Sequence, residues 1–92
     1  MAIKLLATGT TEDIRPAKGE SFTLQELQHE VGGYIEILRT PGRRLLVFDE
    51  EGKLKGKPRN ERATSIALSC GCMLNDYIAG DCLWVTQAEM GD

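Results

Sequence analysis

The sequence is poor in histidine and cysteine, on which many catalytic and metal sites depend. Among 92 residues there is one histidine, His29, and three cysteines, Cys70, Cys72 and Cys82. A single histidine leaves a Ser/His/Asp or Cys/His arrangement without a natural general base. The cysteines match no common zinc spacing, and their odd number argues against a disulfide framework. We therefore expect a non-enzymatic protein that binds no metal and no cofactor.

Long apolar runs are also missing. No stretch approaches the ~20 apolar residues that a membrane-spanning helix needs, and Met1-Ala2-Ile3-Lys4 lacks the pattern of a signal peptide. We expect no membrane contact and a cytoplasmic location, which is the host cytoplasm if a phage encodes the protein. The length predicts a single domain over residues 1–92, with one thin core, no large internal cavity and a frayed tail over residues 87–92.

The charge is unevenly distributed although the net charge is only −3. Residues 39–62 hold eight basic and four acidic residues, a net of +4, and the rest of the chain carries −7. This separation predicts an acidic body with one basic face that attracts a small anion or an acidic partner. Nucleic acid is not the expected partner, because nucleic-acid binders are usually basic overall. Ordinary charged decoration of a solvent-facing hairpin is the alternative.

Runs of β-forming residues between turn residues predict six strands. They are residues 3–7, 13–17, 34–40, 43–49, 53–57 and 82–86. Leu45-Leu46-Val47-Phe48 is apolar on both faces, which predicts a central strand covered on both sides. We expect Pro41-Gly42 to require a long or bulged connection, Gly52 to be left-handed in a tight turn, and the last strand to lie at an edge.

Two short helices are predicted between these strands. Thr23 and Glu26 form a capping box, Phe22 and Leu27 a hydrophobic staple, and Gly32 ends the first helix. Its apolar stripe is Leu24, Leu27 and Val31, and His29 lies on the opposite, solvated side. Asn60 is the predicted N-cap of a second helix over residues 61–70, whose stripe is Ala63, Ile66, Ala67 and Cys70. Leu68 lies off this stripe.

The predicted order is therefore β-β-α-β-β-β-α-β. Helices interleaved with hairpins indicate an α+β fold. We expect a mostly antiparallel sheet of about five to six strands, with both short helices on one face.

One group of residues combines positive charge with a predicted helix start. Free N–H groups and the positive end of the helix dipole make such a start a natural anion site, and adjacent lysines and arginines add charge-assisted hydrogen bonds. The candidate ligand-binding residues are Lys55, Lys57, Arg59, Asn60, Arg62, Ala63 and Thr64, with Tyr34 as a stacking surface. The alternative is that Asn60 only caps its own helix.

Several short motifs in the sequence resemble a known family. They are Gly32-Gly33-Tyr34-Ile35-Glu36, then Asp49-Glu50-Glu51-Gly52, then Asn60-x-x-Ala63-Thr64, then Gly80-Asp81. Together, across about residues 20–86, they resemble a small domain of unknown function that is common in phages, plasmids and bacteria. Cys70-Gly71-Cys72 and Cys82-Leu83-Trp84 depart from the family pattern. The resemblance implies no enzymatic activity, and its mobile-element setting implies an accessory or counter-defence role.

Two functions remain in competition at this point. The first is a sponge that sequesters a phosphorylated nucleotide-type signal, with aromatic residues stacking on the base. The second is a protein-interaction module that inhibits a host protein. We also expect a homo-oligomer, because Leu68 and Trp84 would leave apolar surface on a monomer and because a ligand pocket in so small a chain would form between subunits.

Overall fold

The computed structural model describes residues 2–71 and 76–91, which form an antiparallel sheet and two α-helices. The strands are β1 (Ala2–Leu5), β2 (Thr11–Ile14), β3 (Ile35–Thr40), β4 (Arg44–Asp49) and β5 (Cys82–Thr86). The helices are α1 (Leu24–Val31) and α2 (Glu61–Ser69). The order β-β-α-β-β-α-β confirms the α+β class, and the strands lie side by side as β2-β1-β5-β4-β3.

Helix α1 begins and ends as its sequence predicts. The Thr23 hydroxyl accepts a hydrogen bond from the Glu26 N–H at 3.1 Å, and the Glu26 carboxylate accepts one from the Thr23 N–H at 2.9 Å. Gly32 ends the helix in the left-handed conformation with φ 82°, which glycine adopts without steric cost. Leu24, however, is 57% exposed, so the buried stripe is formed by Leu27 and Val31.

The two helices pack on opposite faces of the sheet. Leu45 and Val47 of β4 contact the core layer beneath α1, and Leu46 and Phe48 contact the layer beneath α2. Because successive strand residues point to opposite faces, this alternation confirms that β4 is covered on both sides. The expectation that both helices share one face is wrong. A strand that is apolar on both faces needs an apolar cover on each of them.

Strand β5 lies at the centre of the sheet rather than at its edge. It pairs antiparallel with β1 on one side and with β4 on the other. Trp84 is half-buried within this strand, where its Nε1–H donates to the Thr40 hydroxyl at 3.1 Å and the Arg44 guanidinium lies 4.8 Å from the ring centroid. The expected edge position was wrong, and Trp84 therefore gives no argument for an oligomer.

Residues 50–58 form a loop of successive turns, so the strand predicted over residues 53–57 is wrong. Gly52 lies near the start of this loop and is buried. Its backbone does not have the left-handed conformation that we expected. A Cβ placed on Gly52 would lie 2.6 Å from the carbonyl oxygen of Ala79. The glycine is thus required by close backbone approach and not by its φ angle. The left-handed glycine of the loop is Gly56, with φ 72°.

The connections within the two hairpins are short. The strands of the first hairpin begin and end one to three residues earlier than predicted, at Ala2–Leu5 and Thr11–Ile14. Three residues join β3 to β4, with Gly42 at φ 79° and Arg43 at φ 58°, as expected for a connection longer than two residues. Residues 88–90 form one turn of 3₁₀-helix. Within the described ranges, neither helix is long and apolar enough to cross a bilayer.

Candidate ligand-binding site

Asn60, the predicted N-cap residue of α2, is buried and connects three segments of the chain. Asn60 is fully buried, and its Oδ1 accepts from the Ala63 N–H at 3.0 Å. Its Nδ2 donates to the carbonyl oxygen of Leu5 at 2.8 Å and to that of Gly80 at 2.9 Å. One carboxamide therefore joins the start of α2 to β1 and to the turn before β5. Both N–H donors of the side chain and its carbonyl oxygen take part in these contacts.

Ala63 and Thr64 are buried beside this joint. Ala63 has no exposed surface and Thr64 is 1% exposed. The Thr64 hydroxyl accepts a hydrogen bond from the Ile78 N–H at 2.9 Å. The structure brings Asn60, Ala63 and Thr64 together, as the sequence suggests, but it places them inside the fold. The alternative that Asn60 caps its own helix accounts for this geometry.

The two lysines of the predicted site converge on Asp49. The Asp49 carboxylate is fully buried, and its Oδ2 accepts from Lys55 Nζ and Lys57 Nζ, each at 2.8 Å. Burial would raise the pKa of Asp49, but these two hydrogen bonds and one from the Glu51 N–H lower it to about 2. The hydrogen bond to Asp49 in turn raises the pKa of Lys55. Two cations share one carboxylate, so the cluster keeps a net charge of +1 at neutral pH.

Both lysines also bind the C-terminal end of α1. Lys57 Nζ donates to the Val31 carbonyl at 2.8 Å, and Lys55 Nζ donates to the Gly32 carbonyl at 3.2 Å. These contacts neutralise the partial negative charge at the helix end. Any Cβ on Gly33 would lie 2.5 Å from Lys55 Nζ and 2.7 Å from the Asp49 carboxylate. The Gly-Gly pair therefore allows the ammonium groups to reach the helix end.

An open cleft lies beside this cluster, and Tyr34 stands at its edge. The cleft measures about 390 Å³ and is lined by Gln28, His29, Gly32, Gly33, Tyr34, Glu51 and Lys55. Tyr34 is 66% exposed, so its ring is accessible from solvent. A second cleft of about 400 Å³ shares His29 and Gly32 with the first and includes Lys57. Tyr34, Lys55 and Lys57 are thus brought around one end of α1.

The two arginines of the predicted site lie elsewhere. Arg59 forms an ion pair with Glu61, and its guanidinium lies 5.4 Å from the ring centroid of Tyr77. Arg62 donates to the Gly9 carbonyl at 3.5 Å. Neither residue lines the clefts around Tyr34. The four basic residues of the predicted site therefore divide into a lysine pair at the end of α1 and an arginine pair near the start of α2.

Asp49 and His29, which lines the cleft, are not among the ligand-binding residues predicted from the sequence. His29 is exposed, as predicted, and it reaches the cleft because it lies one turn before the helix stop. The only signal for Asp49 was a carboxylate directly after an apolar strand, followed by lysines six and eight residues later.

Of the cysteines in the described part of the chain, Cys82 is a core residue. Cys82 is fully buried, and burial raises the pKa of its thiol to about 12. It is therefore a neutral core residue at physiological pH. Cys70 is half-buried, and Cys72 lies outside the described residues. Over residues 2–71 and 76–91 no group of three or more histidine, cysteine, aspartate or glutamate side chains is placed to hold a metal ion.

A larger cleft lies at the far end of the sheet. It measures about 650 Å³ and is lined by Gly42, Arg43, Thr86, Gln87 and Ala88. Arg43 is the only charged residue in that lining, and no aromatic side chain contributes to it. Volume alone does not make a ligand site, since specificity comes from convergent polar and aromatic groups. The cleft at Tyr34 has both.

The fold and its clefts define a small α+β domain with open surface clefts at the end of one helix. Residues 4–92 match the family described as a domain of unknown function, DUF3846, and the chain belongs to that family. The match confirms the resemblance to a small domain of unknown function and extends it from residues 20–86 to residues 4–92. No curated protein and no solved structure matches the chain.

Proposed function

We propose that this protein is a non-enzymatic binder of a small phosphorylated nucleotide-type ligand, held in the cleft at Tyr34. The observation that carries the proposal is the exposed Tyr34 ring beside a cluster of two lysines and one carboxylate. An exposed aromatic face can stack on a base, and such stacking contributes ~1–3 kcal/mol per base. The volume of about 390 Å³ falls within the range of small-molecule sites.

The lysines supply the attraction for the phosphate. Among the described residues, Asp49 and Gly32 use two of the three N–H donors of Lys55, and Asp49 and Val31 use two of those of Lys57. One donor of each ammonium group is left for an anion. Asp49 fixes both side chains before the ligand arrives, which lowers the entropy cost of binding. The nearby Glu51 carboxylate restricts where the phosphate can sit.

The biological setting follows from the resemblance to phage and plasmid proteins. In this proposal the protein is an accessory protein of a phage or mobile element, and it acts as a sponge in the host cytoplasm. Sequestration needs affinity and abundance but no catalytic residues. A counter-defence role is consistent with such a sponge, because removing a nucleotide signal would silence the system that depends on it.

Calorimetry on the intact chain tests the ligand proposal. Adenosine monophosphate, a cyclic mononucleotide and a cyclic dinucleotide serve as probes, each up to millimolar concentration. Tyr34→Leu removes the stacking surface and should weaken binding by roughly 5- to 150-fold, which corresponds to ~1–3 kcal/mol. Tyr34→Phe keeps the ring and should bind as the native protein does.

Tyr77→Leu is the matched control, because Tyr77 is the other tyrosine and lies near Arg59. Its replacement should leave the affinity unchanged. Loss of binding in Tyr77→Leu or Arg62→Ala, with Tyr34→Leu unaffected, would place the ligand at the start of α2 instead. Absence of heat with all three probes would refute the nucleotide proposal.

A protein-interaction module is the second candidate function. Among the described residues, β3 pairs with no strand except β4 and is therefore a terminal strand of the sheet. Strand addition at such a strand is one way in which sheets bind extended segments of other proteins. The homo-oligomer expected from the sequence is a separate proposal that the nucleotide site does not require, because the cleft at Tyr34 is complete within one chain.

A further inference from the structure

The two clefts at the end of α1 join at a residue that has no side chain. Both are lined by Gly32 and by the exposed His29. A Cβ on Gly32 would lie 2.9 Å from Lys57 Nζ, and the Gly32 carbonyl accepts from Lys55 Nζ at 3.2 Å. Because both ammonium groups also share Asp49 Oδ2 as an acceptor, they lie side by side where the clefts join.

The second cleft differs from the cleft at Tyr34 in the charge of its walls. It carries two carboxylates, Glu30 and Asp81, in addition to Lys57. Glu30 Oε1 accepts from Lys4 Nζ at 3.0 Å, and Asp81 Oδ1 accepts from the Ala7 N–H at 2.8 Å. Each carboxylate has a second oxygen, and an ionised carboxylate accepts hydrogen bonds but donates none. Away from Lys57, this cleft therefore disfavours a phosphate and favours a neutral group with N–H donors.

The remaining walls of the second cleft suit a flat apolar group. Ala7, Pro58 and Gly80 contribute small or apolar surface to it. A nucleobase combines a π-face with amino donors on its edge, as in adenine, guanine and cytosine. The two clefts measure about 390 and about 400 Å³, so each reaches the range of small-molecule sites.

From this arrangement we infer that the two clefts together bind one dinucleotide, with its phosphates at Lys55 and Lys57 where the clefts join. One base stacks on Tyr34, and the other lies in the second cleft with its amino group at the Asp81 carboxylate. The inference rests on the proposed nucleotide function, because the first base and the phosphates use that same site. A mononucleotide occupies the cleft at Tyr34 and leaves the second cleft empty.

Calorimetry on the intact chain with two matched probes tests the inference. Adenosine 3′,5′-bisphosphate has one base and two phosphates. The linear dinucleotide pApA adds a second adenosine to it and no further phosphate, so a gain in affinity comes from that nucleoside alone. The native protein should bind one pApA per chain, roughly tenfold or more tighter than the bisphosphate, since a hydrogen bond to a charged group contributes this much.

Asp81→Asn tests where the second base lies. The variant keeps an oxygen for the Ala7 N–H and replaces the other acceptor with an amide donor. It should remove most of the advantage of pApA, while the bisphosphate binds no more weakly than to the native protein. Asp13→Asn is the matched control, because Asp13 is exposed on β2 and lines neither cleft. Tyr34→Leu should weaken the binding of both probes alike.

The outcomes separate this inference from the proposed function. Equal native affinities for the two probes would overturn the inference, and Tyr34-dependent binding of adenosine monophosphate would still support the nucleotide site. An advantage of pApA that a folded Asp81→Asn variant retains would also overturn it, because the second nucleoside would then lie outside the second cleft. The native comparison needs no variant. Absence of heat with every probe would refute the nucleotide proposal and this inference with it.

Discussion

At the scale of single residues, Asp49 organises the region around the proposed site. Its buried carboxylate holds Lys55 and Lys57, and through them it fixes the loop of residues 50–58 against the end of α1. A buried carboxylate with two ammonium partners is stabilising only while it is ionised. The stability of the protein should therefore depend on pH in part through Asp49, beside the other carboxyl groups whose pKa is lowered, Glu26, Asp76 and Glu89.

Acid titration of stability tests the role of Asp49. Because its pKa in the folded protein is lowered from 3.8 to about 2, its contribution is present above about pH 4 and is lost as the pH falls toward 2. Asp49→Asn should lower the free energy of unfolding at pH 7 by about 1–3 kcal/mol and flatten its dependence between pH 4 and pH 2. Denaturant unfolding at several pH values measures both effects.

Asp76→Asn is the control, because Asp76 also pairs with a lysine but is exposed. It should change the stability at pH 7 little. An Asp49→Asn variant with native stability and an unchanged acid slope would contradict the role given to Asp49.

Gly52 and Gly56 require glycine for two different physical reasons, which substitutions at the two positions can test. Gly52→Ala should destabilise by roughly 1–3 kcal/mol, because the new Cβ meets the Ala79 carbonyl. Gly56→Ala should cost about 1 kcal/mol through its left-handed backbone, since open space surrounds that position. Thermal unfolding measures both.

Asparagine separates the two causes at these positions. Because asparagine tolerates left-handed backbone, Gly56→Asn should be more stable than Gly56→Ala. At Gly52 the larger asparagine should be worse than alanine. The reverse order at Gly52 would show that its conformation, and not close approach, requires the glycine.

At the scale of elements, the local signals in the sequence were sufficient for both helices. The capping box at Thr23 and Glu26, the stop at Gly32 and the cap at Asn60 act within a few residues, so sequence shows them directly. The segment of residues 53–57 was assigned wrongly because its alternating lysines match a solvent-facing strand. Lys55 and Lys57 in fact contact Asp49 and the end of α1, and Lys53 contacts Asp76. These are tertiary contacts that no local pattern shows.

Asn60 is predicted to stabilise the contacts of α2 with β1 and with the turn before β5, and not only the start of the helix. Asn60→Asp keeps the cap acceptor but removes the donors to the Leu5 and Gly80 carbonyls and adds a buried charge. It should destabilise by roughly 3 kcal/mol or more in denaturant unfolding. Thr23→Asp, at the exposed cap of α1, should be nearly neutral. If the two substitutions had equal effects, Asn60 would be an ordinary cap.

At the scale of the whole molecule, the order of the strands in the sheet was not predicted from the sequence. Cys82-Leu83-Trp84-Val85 is apolar on both faces, just as Leu45-Leu46-Val47-Phe48 is, and the same argument would have placed both strands at the centre. The candidate site was predicted in part. Charge and aromatic content pointed to Tyr34, Lys55 and Lys57, but only the fold separates them from the buried Asn60, Ala63 and Thr64.

We propose that a nucleotide-type ligand binds at the end of α1 rather than at the start of α2. Amide chemical shifts of the ¹⁵N-labelled chain, followed during titration with the tightest-binding nucleotide probe, test this proposal most directly because both places are observed at once. We expect the perturbed amides to cluster at residues 28–34 and around Lys55. Perturbations that cluster at residues 59–64 instead, or none at millimolar nucleotide, would contradict it.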